Sequence, residues 1–255
     1  MAFHTILFLF VAGALGGALN AVAGGGSFIV FPALLFSGVA PIAANATNTV
    51  ALWVGTTASS RAYRKHLDIS RRVMIPLTVT SLIGGIAGAY LLLHTPAQTF
   101  LRVLPWLMLG ATLLFIFGSR LSRGSKSGVA HDTSTSALTV AVVFELIVAV
   151  YGGYFGGGVG ILNLAMLAAI GMTDIHAMNA LKVVLGGIIN GVAVVTFVLA
   201  GAVAWKQGIV VIVGALLGGY FGAHYAQKLP PAWIRAFVIA VGTGMTLYFF
   251  WKAYH

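Results

Sequence analysis

Lys182 stands in the run ALKVVLGG, eight positions into an apolar helix pattern and far from any loop. An ammonium inside a hydrocarbon layer costs at least ~2.5 kcal/mol even on a lenient insertion scale. It needs a carboxylate, backbone carbonyls or a bound anion beside it. Glu145 is the one acid deep within an apolar run, and a structural ion pair with it is one reading of Lys182. The other reading makes the lysine a fixed positive charge for an anionic substrate. Two glycine triplets offer a second source of anion chemistry: Gly24, Gly25 and Gly26 before Ser27, and Gly156, Gly157 and Gly158 before Val159. Consecutive glycines sit poorly in a helix interior. Each triplet therefore breaks one helix and opens another, whose first N–H groups and dipole make an anion cradle.

Amide side chains gather near these breaks: Asn20, Asn45, Asn48, Asn163, Asn179 and Asn190. An amide within a membrane needs a partner. Some tie helices together, and two or three are expected to face a cavity, with Asn45, Asn48 and Asn179 foremost. Thr47, Ser27 and Tyr154 are further donors. Glu145 is also a candidate for proton coupling, as is His176 near the start of the Lys182 helix.

The elements that carry these groups follow from runs and breaks. Phe3 to Val22 is an apolar helix, followed after the glycines by a short helix from Phe28 to Ser37. Pro41 opens a helix to about Tyr63, and a basic loop leads to spans at Val73 to Leu93 and Phe100 to Phe117. Ser119 to Ser136 is the one polar linker. The order then recurs: Ala137 to Val150, a glycine break, Ile161 to Ile170, Asp174 to Leu199, Ile209 to Ala223 and Trp233 to Trp251. Each short segment falls well below the ~20 residues a spanning helix needs. Short, glycine-broken apolar segments in matching places of two halves point to a transporter's binding site.

One offset aligns the halves. It pairs Asn45 with Asn179, Asn48 with Lys182, Gly84-Gly85 with Gly218-Gly219, and Gly110 with Gly244. The expected fold is thus an all-α polytopic membrane protein with two internal repeats, residues 1–118 and 137–255, joined by a cytoplasmic linker at 119–136. Each repeat has a Gly-broken short-helix pair plus three transmembrane helices. If each pair enters and returns on one side, the crossings per half are odd and the repeats are inverted. A parallel repeat of four spans per half is the rival; it makes each 34- to 36-residue pair a single crossing, which is generous. Inversion is preferred.

Composition sets the class. Of 255 residues, 60% are hydrophobic and 7% charged, which excludes an ordinary soluble domain. The runs do not alternate, so a β-barrel is excluded as well. The net charge of +10 is no nucleic-acid footprint. Eight of the 14 Lys and Arg residues lie in two loops, at Arg61, Arg64, Lys65, Arg71 and Arg72 and at Arg120, Arg123 and Lys126, with no interleaved aromatics. Basic loops beside apolar spans face the cytoplasm. With no cysteine, disulfides and thiol chemistry are absent. The N-terminal stretch lacks the basic residues of a signal peptide, and its twin in the second half is internal, so it reads as a mature helix. HExxH, GxSxG, Walker A and GxGxxG motifs are missing. No enzyme activity, cofactor or metal is expected. The expected partners are a small anion, the bilayer and, at most, a second copy of the chain in a homodimer.

The run AGGGSFIVFPALLFSGVAPIAANATNTVALW from Ala23 to Trp53, the Gly-rich Leu82 to Ala89 and the echo Gly152 to Gly160 resemble the TauE/SafE family of sulfite exporters, over nearly the whole chain. The resemblance implies a permease of the bacterial inner membrane for small anions, mainly sulfite or organosulfonates, usually in the direction of export. It supports that class better than any one compound. An anion channel and a transport-inactive membrane scaffold are the competing functions.

Overall fold

The computed structural model describes residues 1–22, 24–60, 70–121, 135–172, 174–225 and 231–254. Among them the regular structure is entirely helical. The ten helices are α1 (Phe3–Val22), α2 (Ser27–Phe36), α3 (Pro41–Ser60), α4 (Arg71–His94), α5 (Ala97–Leu121), α6 (Thr135–Tyr154), α7 (Val159–Ala169), α8 (Ile175–Leu199), α9 (Trp205–Tyr225) and α10 (Pro231–Tyr254). Seven are long and apolar enough to cross a membrane. The long helix that falls outside this set is α3, whose asparagines and threonines lower its hydropathy. The two short helices, α2 and α7, are where the glycine triplets place them.

Local chemistry sets the ends. Pro41 opens α3 at a position where a missing N–H costs nothing, and the Ser70 hydroxyl accepts from the Arg72 N–H at the start of α4. Both short helices stop alike. Gly38 and Gly171 take φ values of 87° and 92°, and the next residues, Val39 and Met172, donate back to the Leu34 and Leu167 carbonyls. This left-handed stop favours glycine.

The long helices pack through small residues. α1 lies parallel to α9, with Gly13 on Val211, Gly17 on Ala215, and Gly218 on Ala14. α4 lies parallel to α6: Arg72 donates to Thr135 Oγ1 at 2.9 Å, Ser81 to Glu145 Oε1 at 2.6 Å, and Gly88 rests on Val150. α8 runs with α4, since Val73 and Leu77 cluster with Leu181 and Leu185 while Gly85 meets Ile189 and Val192. α3 runs with α9, through Thr47 on Gly208 and Gly55 on Ala215. α5 and α10 are antiparallel: Arg235 donates to the Phe115 carbonyl near one end, and Trp106 to Tyr254 Oη near the other.

Two directions result. α1, α3, α5 and α9 run one way, and α4, α6, α8 and α10 the other. Helices that begin 134 residues apart, α3 and α8, α4 and α9, α5 and α10, therefore run oppositely. The basic loop itself, residues 61–69, and most of the linker, residues 122–134, lie outside the described residues. Their flanking ends meet in the Arg72–Thr135 hydrogen bond, so α4 and α6 begin at the same face. Aromatics fix the short helix α2: Phe31 packs against Phe100, Phe155 and Phe249, and Phe28 against Phe115. Large apolar side chains such as Ile83, Tyr90, Ile147 and Leu247 face outward, as lipid contact requires.

Candidate substrate-binding cavity

A cavity of about 820 Å³ lies between the starts of the two short helices and the facing sides of α3 and α8. Gly24 and Ser27 reach it from the first break, and Gly158, Val159 and Gly160 from the second. Gly24 and Gly158 share a left-handed turn, with φ of 80° and 79°. From α3 come Asn48, Leu52 and Thr56, spaced by four residues and so on one face; from α8 come Lys182, Gly186 and Asn190 at the same spacing, with Asn179 a turn earlier. Several lining pairs, such as Gly24 and Gly158, Asn48 and Lys182, or Thr56 and Asn190, sit 134 positions apart. Trp53 and Gly187, another such pair, touch each other: the indole N–H donates to the Gly187 carbonyl at 3.0 Å.

Lys182 is the one ionisable side chain among the described residues that line this cavity, and none of those residues is acidic. Its Nζ donates to Asn179 Oδ1 at 3.0 Å. Its stem runs along α7, where a Cβ on Gly160 would come within 3.3 Å of Lys182 Cδ. Glycine at 160 thus clears the path of the lysine. No ion pair joins Lys182 to Glu145. That acid sits in the α4–α6 interface, fully buried, with Oε1 accepting from Ser81 and Oε2 without a partner.

The other residues singled out in the sequence divide into two groups. Asn48 lines the cavity; it is 1% exposed, its amide donates to Ser27 Oγ at 3.2 Å, and its Oδ1 has no partner. Gly156 and Asn179 line it too. Asn20, Asn48, Asn179 and Asn190 make four cavity-facing amides where two or three are expected. Asn45 instead ties α3 to the end of α6, donating to the Tyr154 carbonyl at 3.0 Å. Thr47 accepts from the Ala204 N–H at 2.9 Å and anchors the α8–α9 connection. Gly25, Gly26 and Gly157 pack against Val238, Gly16 and Phe155 respectively, and Tyr154 Oη reaches Thr95. Asn163 is buried in α7 with both amide atoms unpartnered, outside the cavity wall. The side chain of His176 lies outside the described residues. Trp53, Gly160, Gly186 and Gly187 line the cavity as well; of these, the glycine pair within an otherwise strong helix pattern is the one with a signal in the sequence.

The sulfite exporter TauE/SafE family model matches residues 9–249. The chain belongs to the TauE/SafE family. Its relatives include a probable membrane transporter protein, ORF9, of Sinorhizobium sp., 26% identical over 97% of this chain and 93% of that protein. Another from Haemophilus influenzae is 28% identical over 93% and 91%, and YfcA of Escherichia coli is 27% identical over 93% and 87%. No solved structure matches. As a TauE/SafE member with seven helices long and apolar enough to span, the protein is a multi-pass bacterial membrane transporter, and the cavity at its glycine breaks is its candidate substrate site.

Proposed function

We propose that this transporter moves a small sulfur-containing anion, such as sulfite or an organosulfonate, out across the bacterial inner membrane. The observation that carries the reading is electrostatic: the described cavity wall presents the Lys182 ammonium and no carboxylate. At the starts of α2 and α7 the turns take up the N–H groups of Phe28, Ile29 and Ile161, which leaves those of Ser27, Val159 and Gly160 as further donors. A scaffold has no use for such a cavity between its breaks. Coupling to protons is assigned to Glu145, whose free Oε2 has room for a proton while Ser81 holds Oε1. The test is uptake and efflux of labelled sulfite and sulfonates in proteoliposomes, with and without a pH gradient. Accumulation above the equilibrium level under a gradient is expected, and Glu145→Gln should leave downhill flux while removing the response to pH. Flux that never exceeds equilibrium would make the protein a channel; no flux at all would leave the scaffold.

The two halves, residues 1–118 and 137–255, are proposed to be inverted repeats around the linker at 119–136. The opposite directions of helices that start 134 residues apart support this. Inversion places the starts of α4, α6 and α10, with Arg71, Arg72 and Arg235, in the cytoplasm. It places Lys206 and Lys252 outside. A chain without cysteine allows a direct check with single cysteines. Cysteine at Ser70 or Ser136 should react with an impermeant maleimide only from the cytoplasmic side, and cysteine at Thr95 or Gly201 only from the other. Labelling of the Ser136 and Gly201 positions from one side would favour the parallel arrangement, in which the α6–α7 pair is a single crossing.

A further inference from the structure

We propose that Gly186, Gly187 and the Trp53 ring form a second subsite, which takes the apolar organic body of an anion whose charged head lies at Lys182. The proposal rests on the anion reading above and narrows it to alkyl or aryl sulfonates and their like over bare inorganic oxyanions.

Three observations lead there. Most glycines of the long helices are packing glycines: a Cβ on Gly84, Gly88, Gly153 or Gly218 would strike a neighbouring helix. Gly186 and Gly187 differ. A Cβ on either meets nothing within 4 Å, and both line the cavity. Each costs its helix about 1 kcal/mol relative to alanine without gaining a close helix contact, so what they preserve is open space. Second, Trp53 has its one polar atom engaged, since the N–H donates to the Gly187 carbonyl. Its ring edge lies against Gly191, where a Cβ would be 3.3 Å from Cζ2. What Trp53 offers the cavity is apolar surface. Third, the charge and this surface are far apart. The lysine reaches back to Asn179, so its ammonium sits near that level, and Gly186 follows seven residues later, about 10 Å along the helix axis. A lone tetrahedral oxyanion cannot touch both ends, whereas an anion with a chain of several carbons can.

The cavity wall also carries an unsatisfied polar group. Asn48, 1% exposed, leaves one amide atom without a partner at the cavity wall. The Ser27 hydroxyl both donates and accepts, so the amide can present either its oxygen or, turned over, its NH₂ to a ligand.

The experiment is competition by straight-chain sulfonates, methane- to pentanesulfonate, against labelled sulfite uptake in proteoliposomes of the full chain. Burial of each added methylene should tighten competition roughly fourfold until the body subsite is filled. In Gly186→Leu the new side chain occupies the space, and in Trp53→Ala the wall is lost; both should flatten this chain-length series, read as the ratio of pentane- to methanesulfonate. A wild-type series that is flat, with sulfite uptake intact, overturns the second subsite and leaves the anion reading standing. Absence of uptake of sulfite and of every sulfonate would overturn the anion reading, and this inference with it.

Discussion

Lys182→Met should abolish or sharply weaken anion transport while the protein remains folded and inserted. Methionine matches the length of the lysine stem and continues to fill the groove beside Gly160, so packing changes little. What is lost is the positive charge of the described cavity wall. A hydrogen bond to a charged group contributes ~1.5–3 kcal/mol, and 1.4 kcal/mol is a decade in affinity. Apparent affinity should therefore fall by roughly one to two decades. Folding should survive because no ion pair to Glu145 is broken; the hydrogen bond lost is the one to Asn179. Asn48→Ala, at the matching place on α3, removes a neutral group and should cost less. The measurement is substrate-dependent flux against protein inserted and monodisperse. Normal transport by Lys182→Met would make the lysine structural and leave anion binding to backbone donors.

Gly218→Val should prevent accumulation of folded protein. A Cβ there falls onto the Ala14 carbonyl, and backbone of a packed helix cannot step aside as a flexible side chain does. Overpacking of a core costs ~1–3 kcal/mol and occasionally more; against backbone, and with two further methyl groups, the upper part of that range or beyond is expected. Gly88→Val, which drives into Val150 across the α4–α6 interface, should fail in the same way. Gly110 is the control, because a Cβ there meets nothing within 4 Å. Gly110→Ala should be neutral or gain up to about 1 kcal/mol from helix propensity. Yield of monodisperse protein and its thermal unfolding in detergent decide the matter. A well-folded Gly218→Val would mean that α1 and α9 do not pack this closely.

The helices themselves are written in the sequence. Long apolar runs have no other stable form in lipid than a helix, and glycine triplets and prolines act on the residues beside them. The expected boundaries accordingly lie within a few residues of those found. The largest differences, four residues each, are α5, which runs on to Leu121, α6, which runs on through Gly152 and Gly153 to Tyr154, and α9, which starts at Trp205 rather than Ile209. For α6 and α9 tertiary packing overrides local preference: Gly153 is pressed against Gly85, and the α9 start is anchored by the Thr47–Ala204 bond.

Partner choice is another matter. An isolated lysine and an isolated glutamate in apolar runs invite pairing, and the chain alone cannot tell whether their helices face each other. The tertiary structure places Glu145 between α4 and α6 against Ser81, and turns Lys182 toward α7 and the cavity. It likewise separates two asparagines three residues apart on α3: Asn45 ties helices, and Asn48 lines the cavity. It also distinguishes glycines that bring helices together from Gly186 and Gly187, which hold space open. Residue type determines what a group can do; long-range packing determines whom it meets, because a rotation of one helix by a single residue, ~100°, changes the face it presents.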